Sequence, residues 1–173
     1  MRRILLSCAS IAVLLLPAAA GARVSAHGKS RPGYLVVRKA AGDGGHPVVT
    51  LVVKGFVLGR VSPNRQARID IYHFPRGGHA PQVVGDASPL PVKWRGRVPG
   101  MEYNGSGFRF RAIGGYYRVV VRGAGVYLFA GGHGNVRLRG SSFARSRDGT
   151  YSLNGATARS MPGRTLKFVL GRG

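Results

Sequence analysis

Beyond residue 30 the apolar residues recur at a spacing of two, in short runs cut by glycine, and no segment keeps a 3.6-residue period for three turns. A helix cannot bury a face built that way, whereas a strand sends alternate side chains to opposite faces. The 28 glycines and 10 prolines supply the turn chemistry that many short strands require. On this pattern strands are expected at Tyr34 to Lys39, Val48 to Lys54, Phe56 to Val61, Ala67 to Phe74, Val92 to Trp94, Phe108 to Ala112, Tyr116 to Arg122, Val126 to Ala130, Asn135 to Arg139, Thr150 to Leu153 and Thr165 to Leu170. Gly131-Gly132-His133-Gly134 falls between two of them and reads as a turn, because no helix follows that would make it a phosphate or dinucleotide loop. The fold class expected is all-β: an antiparallel β-sandwich or barrel-like meander of about ten short strands.

Val48 to Gly55 can be laid over Tyr116 to Gly123, and Arg68-Ile69-Asp70-Ile71 over Asn135-Val136-Arg137-Leu138. That similarity either marks two related halves, 34–74 and 107–171, or is only the likeness that any two β-meanders share, and it admits a two-repeat β-roll or β-helix as the alternative architecture. Between the halves, segment 75–100 holds Pro75, Pro81, Pro89, Pro91 and Pro99. Proline cannot donate to a ladder, so this segment is expected to be loop or sheet edge.

Met1-Arg2-Arg3, the apolar stretch Ile4 to Leu16 and the small residues up to Ala26 have the order of a signal peptide. Residues 1–26 are expected to be cleaved, leaving an all-β domain over 27–173 that is secreted or held in the cell envelope. The apolar run stops at Pro17, short of the roughly 20 residues a transmembrane helix needs, so no transmembrane segment is expected. Cys8 is the only cysteine and lies inside the signal. A cleaved chain would therefore have no disulfide, no thiolate metal site and no cysteine nucleophile.

Charge narrows the partners. The chain has 27 Lys+Arg against 5 Asp+Glu, a formal net charge of +22, with arginine outnumbering lysine 22 to 5. In Phe108-Arg109-Phe110-Arg111 the two aromatics take one face and the two arginines the other. Tyr117, Val119 and Val121 oppose Arg118 and Arg122 in the same way, and Val136 and Leu138 oppose Arg137 and Arg139. If these strands lie in one sheet, Arg109, Arg111, Arg118, Arg122, Arg137 and Arg139 form a basic face suited to anionic cell-surface polymers or phospholipid headgroups. Arginine is spread over nearly every segment, and a compositional excess would also give a solvated basic face with no dedicated ligand. Specific nucleic-acid binding is not expected, for want of a groove-entering helix, zinc-finger spacing or RNA-recognition submotifs.

Catalytic signatures are sparse. The acids Asp43, Asp70, Asp86, Glu102 and Asp148 form no local pair, and Asp70 shares a strand face with Tyr72 while His73 takes the other. Asp70 is thus expected to pair with an arginine. His46, His73, His79 and His133 lack the spacing of a metal site. Trp94, between Lys93 and Arg95, and Tyr116 beside the arginine face could stack on bases or sugars, but a lone Trp in a β-protein is more often in the core, and Trp94 is expected there. No catalytic, metal or cofactor-binding residue is assigned. The functional expectation is a secreted non-catalytic β-domain that binds anionic polymers through an arginine-rich face, with a small secreted hydrolase as the alternative.

Overall fold

The computed structural model describes residues 31–41, 46–74, 77–141 and 149–171. The expected signal peptide, Cys8, Asp43, Asp148 and proline-segment residue Pro75 lie outside the described residues. Eleven strands and no helix are found there: β1 Gly33–Ala40, β2 Val49–Val61, β3 Ala67–Phe74, β4 Gln82–Val84, β5 Ala87–Trp94, β6 Val98–Gly105, β7 Arg109–Gly123, β8 Val126–Leu138, β9 Thr150–Leu153, β10 Arg159–Ser160 and β11 Leu166–Leu170. No helix of the described residues is long and apolar enough to cross a membrane.

All eleven strands belong to one sheet, in the order β10-β9-β1-β8-β2-β7-β3-β6-β5, with β11 paired to β8 and β4 to β7 beside that path. Every pairing is antiparallel, which removes the parallel β-helix alternative. The path ends at β10 and β5 without joining them, so the sheet is not closed into a barrel. The two similar sequence stretches lie side by side: Val49 faces Val121, Leu51 faces Val119 and Gly55 faces Gly115.

An isolated sheet leaves both faces wet, yet Leu35, Leu51, Val53, Val57, Val119 and Val126 are fully buried. With no helix among the described residues to cover them, the sheet has to fold over its own inner face. Period two supplies that face: 49, 51, 53, 57 and 61 on β2 and 126, 128, 130, 136 and 138 on β8 are all buried. They join β1, β3, β7, β9 and β11 residues in one continuous apolar cluster.

The three longest strands carry glycine at their middles, where the sequence reading had placed strand ends. Six of the expected strands are therefore halves of β2, β7 and β8, joined through Gly55, Gly114-Gly115 and Gly131 to Gly134. The last of these is mid-strand, not a turn. Register between β2 and β7 slips between Gly55 and Phe56, passing over Gly114, and β2 and β8 approach so closely that a Cβ on Gly55 would lie 2.1 Å from the Gly131 carbonyl oxygen. A Cβ on Gly132 would meet the Lys54 carbonyl oxygen equally closely. These glycines divide the sheet into two arms. The first contains residues 49–54, 116–123 and 133–138 with β3, β6, β5 and β11. The second contains 56–61, 109–113 and 126–131 with β1, β9, β10 and β4. Tyr117 braces the junction, donating its hydroxyl to the carbonyls of His79 at 2.7 Å and Ile113 at 2.8 Å.

Proline did not prevent strand formation in 75–100. β5, with Pro89 and Pro91, pairs only with β6, and β4 pairs only with β7, so both are edge strands, as expected of a proline-rich segment; β6, which begins at Val98 and runs between β3 and β5, was not expected as a strand.

Candidate anion-binding groove

β7 and β8 are not neighbours: β2 runs between them. The six arginines singled out in the sequence are consequently divided. Arg109 and Arg111 lie on the outer face of the second arm, where Arg111 Nε donates to Gln82 Oε1 at 2.6 Å. Arg118, Arg122 and Arg137 lie on the outer face of the first arm, and Arg139 follows the end of β8, its amide bonded to the Val48 carbonyl.

Arg122 is already engaged. Register sets Arg122 opposite Arg68 on β3, one pair away from Asp70, which itself faces Glu102 on β6. Arg122 Nη1 lies 2.6 Å from Asp70 Oδ2, Arg68 Nε 3.4 Å from Asp70 Oδ1, and Arg68 Nη2 2.5 Å from Glu102 Oε2. Asp70 is 3% exposed, so the two arginines compensate a carboxylate removed from water. The expected Asp70–arginine pair is thus present. His73 points to the other face and stacks on Tyr117 with ring centroids 5.1 Å apart.

Arg118 has a different environment. On β7 it stands between Tyr72 of β3 and Val52 of β2, and its guanidinium lies over the Trp94 ring, 4.9 Å from the centroid. The Arg95 guanidinium is 4.8 Å from the same centroid. Trp94 reaches this position from the edge strand, supported edge-on by Phe74 at 5.8 Å, which in turn packs on Tyr116 at 4.5 Å. It is half-buried on the outer face, not in the core as expected.

Arg118 Nε is buried and has no hydrogen-bond partner among the described residues. Burial lowers the pKa of this guanidinium from its usual value; Tyr72 opposes that shift and the neighbouring Arg137 adds to it. A buried N–H without an acceptor costs free energy until one arrives, and a desolvated guanidinium gains more from an anion than a hydrated one does.

The space beside Arg118 is a groove of about 900 Å³ on the outer face. Its floor is Thr50 and Val52 of β2 with Asn135 of β8; its basic residues are Arg95, Arg118, Arg137 and Lys167. Arg137 and Lys167 are direct cross-strand partners on β8 and β11, an arrangement of like charges that is unfavourable unless an anion lies between them. Among the described residues no carboxylate lines the groove. Sequence parity had brought out Arg118 and Arg137; Arg95 and Lys167 were missed because their place depends on β5 and β11 curling towards the same three strands. Among the described residues no cluster of three His, Cys, Asp or Glu side chains is arranged to hold a metal ion. Compared with models of known protein families, with curated proteins and with solved structures, the chain matches none.

Proposed function

We propose that this protein is a non-catalytic binding module of the cell envelope or extracellular space that holds an anionic polymer on the outer face of its sheet, with the groove taking one phosphate or carboxylate of that polymer. The observation that carries this reading is Arg118: a partly desolvated guanidinium with a buried, unpartnered Nε, beside Arg137 and Lys167, in a groove that no carboxylate of the described residues lines. Arginine's fork suits a two-point contact with such a group. The occupation of Asp70 and Glu102 by Arg68 and Arg122 favours binding over hydrolysis, because neither carboxylate is left to act on a bond.

The test is binding of a phosphate-rich glycopolymer and of a charge-matched carboxylate polymer at low and at physiological salt. Loss of one charge-assisted contact is worth about 1.5–3 kcal/mol, so Arg118→Gln should weaken binding by roughly tenfold or more, while Arg97→Gln, in an exposed turn, should leave it nearly unchanged. Equal losses in both variants, with binding to both polymers abolished by salt, would reduce the interaction to net charge and sink the groove.

A further inference from the structure

The second arm presents an outer face of different character. Tyr34 of β1, Gly131 of β8, Phe56 of β2 and Ile113 of β7 form one cross-strand row; Val36, Phe129, Leu58 and Arg111 form the next. Gly131 leaves room for its neighbours' rings, since a Cβ there would lie 2.6 Å from Phe56 and 2.9 Å from Tyr34. Phe129 meets Phe56 edge-on at 5.1 Å and Tyr34 in a stacked arrangement at 6.1 Å. Although packed on one another, Tyr34, Phe129 and Ile113 remain 42%, 39% and 43% exposed. An aromatic cluster of this kind on the outside of a sheet is an unpartnered apolar patch.

Cations border the patch. Arg38, Arg60 and Arg109 share its shallow end with Tyr127, over whose ring the Arg60 guanidinium sits at 4.5 Å. Arg111 lies on its flank and the exposed Lys54 at its other end. The described residues place no carboxylate among these strands: β1, β2, β7 and β8 contain none.

We propose that this face docks on an anionic phospholipid surface, with Tyr34, Phe56 and Phe129 at the headgroup boundary and the surrounding arginines and Lys54 on lipid phosphates. Charge decides among occupants. A second copy would bring an identical ring of cations against this one, whereas an anionic bilayer complements the ring and accepts the rings at its interface. Each cation near such a surface adds about 1 kcal/mol, screened by salt, while the apolar contribution is not screened. The long arginine stems can lie along the apolar patch with their charged ends towards phosphate. The proposal concerns the arm opposite the groove and stands or falls separately from it.

The experiment is co-sedimentation of the purified protein with vesicles of phosphatidylcholine alone and of about three parts phosphatidylcholine to one of phosphatidylglycerol, at low and physiological salt. Binding to the anionic vesicles should persist in part at physiological salt, and Tyr34→Ser/Phe129→Ser should reduce the partition coefficient by about tenfold or more, whereas Arg97→Gln, in an exposed turn outside the patch, should leave it nearly unchanged. As a second readout independent of that double variant's folding, Phe129→Trp should show blue-shifted emission on anionic vesicles and quenching by bromine-labelled acyl chains, with Trp94 in the unaltered protein unaffected. Equal partitioning of the serine variant and the unaltered protein, or complete loss of binding at physiological salt, would overturn the proposal in favour of charge alone. Concentration-dependent dimerisation that the serine variant abolishes, without vesicle binding, would overturn it in favour of a second copy.

Discussion

Arg118 and Arg122 lie on the same face of the same strand with only Val120 between them on that face, and their neighbours give them opposite roles. Arg122 closes on a buried Asp70 that also holds Arg68; Arg118 is kept by an indole and retains a donor with nothing to bond. Removing one member of a buried ion pair strands the other, at a cost of about 3–5 kcal/mol in full burial. Because Arg68 is half exposed and Arg122 a quarter exposed, Asp70→Asn should cost less, about 2 kcal/mol, read as a lower urea midpoint. An unchanged midpoint would mean that desolvation of Asp70 cancels what its partners provide. Alternation alone shows that all these arginines face outward. Which of them meets a carboxylate follows from β3 lying beside β7, a pairing that local pattern does not encode.

At the scale of elements, the sequence showed where chain is extended but not where strands end. A glycine that turns the chain and a glycine that lets two backbones cross closely are the same letter in the same polar-apolar rhythm, so β2, β7 and β8 were each read as two strands. Gly55 and Gly132 are mid-strand because β2 and β8 touch there, and φ of 153° at Gly55 lies outside what side chains ordinarily adopt. A methyl at Gly55 has backbone to displace, not a flexible side chain. Gly55→Ala should therefore cost at least about 3 kcal/mol, with a fall in melting temperature that Gly132→Ala reproduces. A fall of only a degree or two would show that the crossing opens cheaply. β6 escaped notice for a related reason: Pro99 and Gly100 argue against a strand, yet Gly100 is where the Tyr72 ring covers the neighbouring strand. That covering leads from Tyr72 to Arg118 and hence to the groove.

For the whole molecule, the composition fixes an electrostatic state that the fold has to tolerate. Among the described residues only Asp70, Asp86 and Glu102 bear carboxylates, and two of them are enclosed in the arginine network. The remaining excess repels itself, most of all where Arg137 faces Lys167 and Arg60 faces Arg109. Compaction brings these charges together and unfolding separates them, so screening should favour the folded state. The Asp70 network pulls the other way, since salt weakens attraction too, but its carboxylates are buried and screened less than surface charge. Repulsion should dominate: melting temperature is expected to rise as sodium chloride brings the Debye length to about 8 Å. A polyphosphate matched in ionic strength should raise it further, because an anion that bridges Arg118, Arg137 and Lys167 binds the folded chain alone. Arg118→Gln should remove much of that additional rise and leave the chloride effect intact. A melting temperature that falls with salt would place the buried ion pairs above the surface excess, and equal effects of chloride and polyphosphate would leave the basic face without a site.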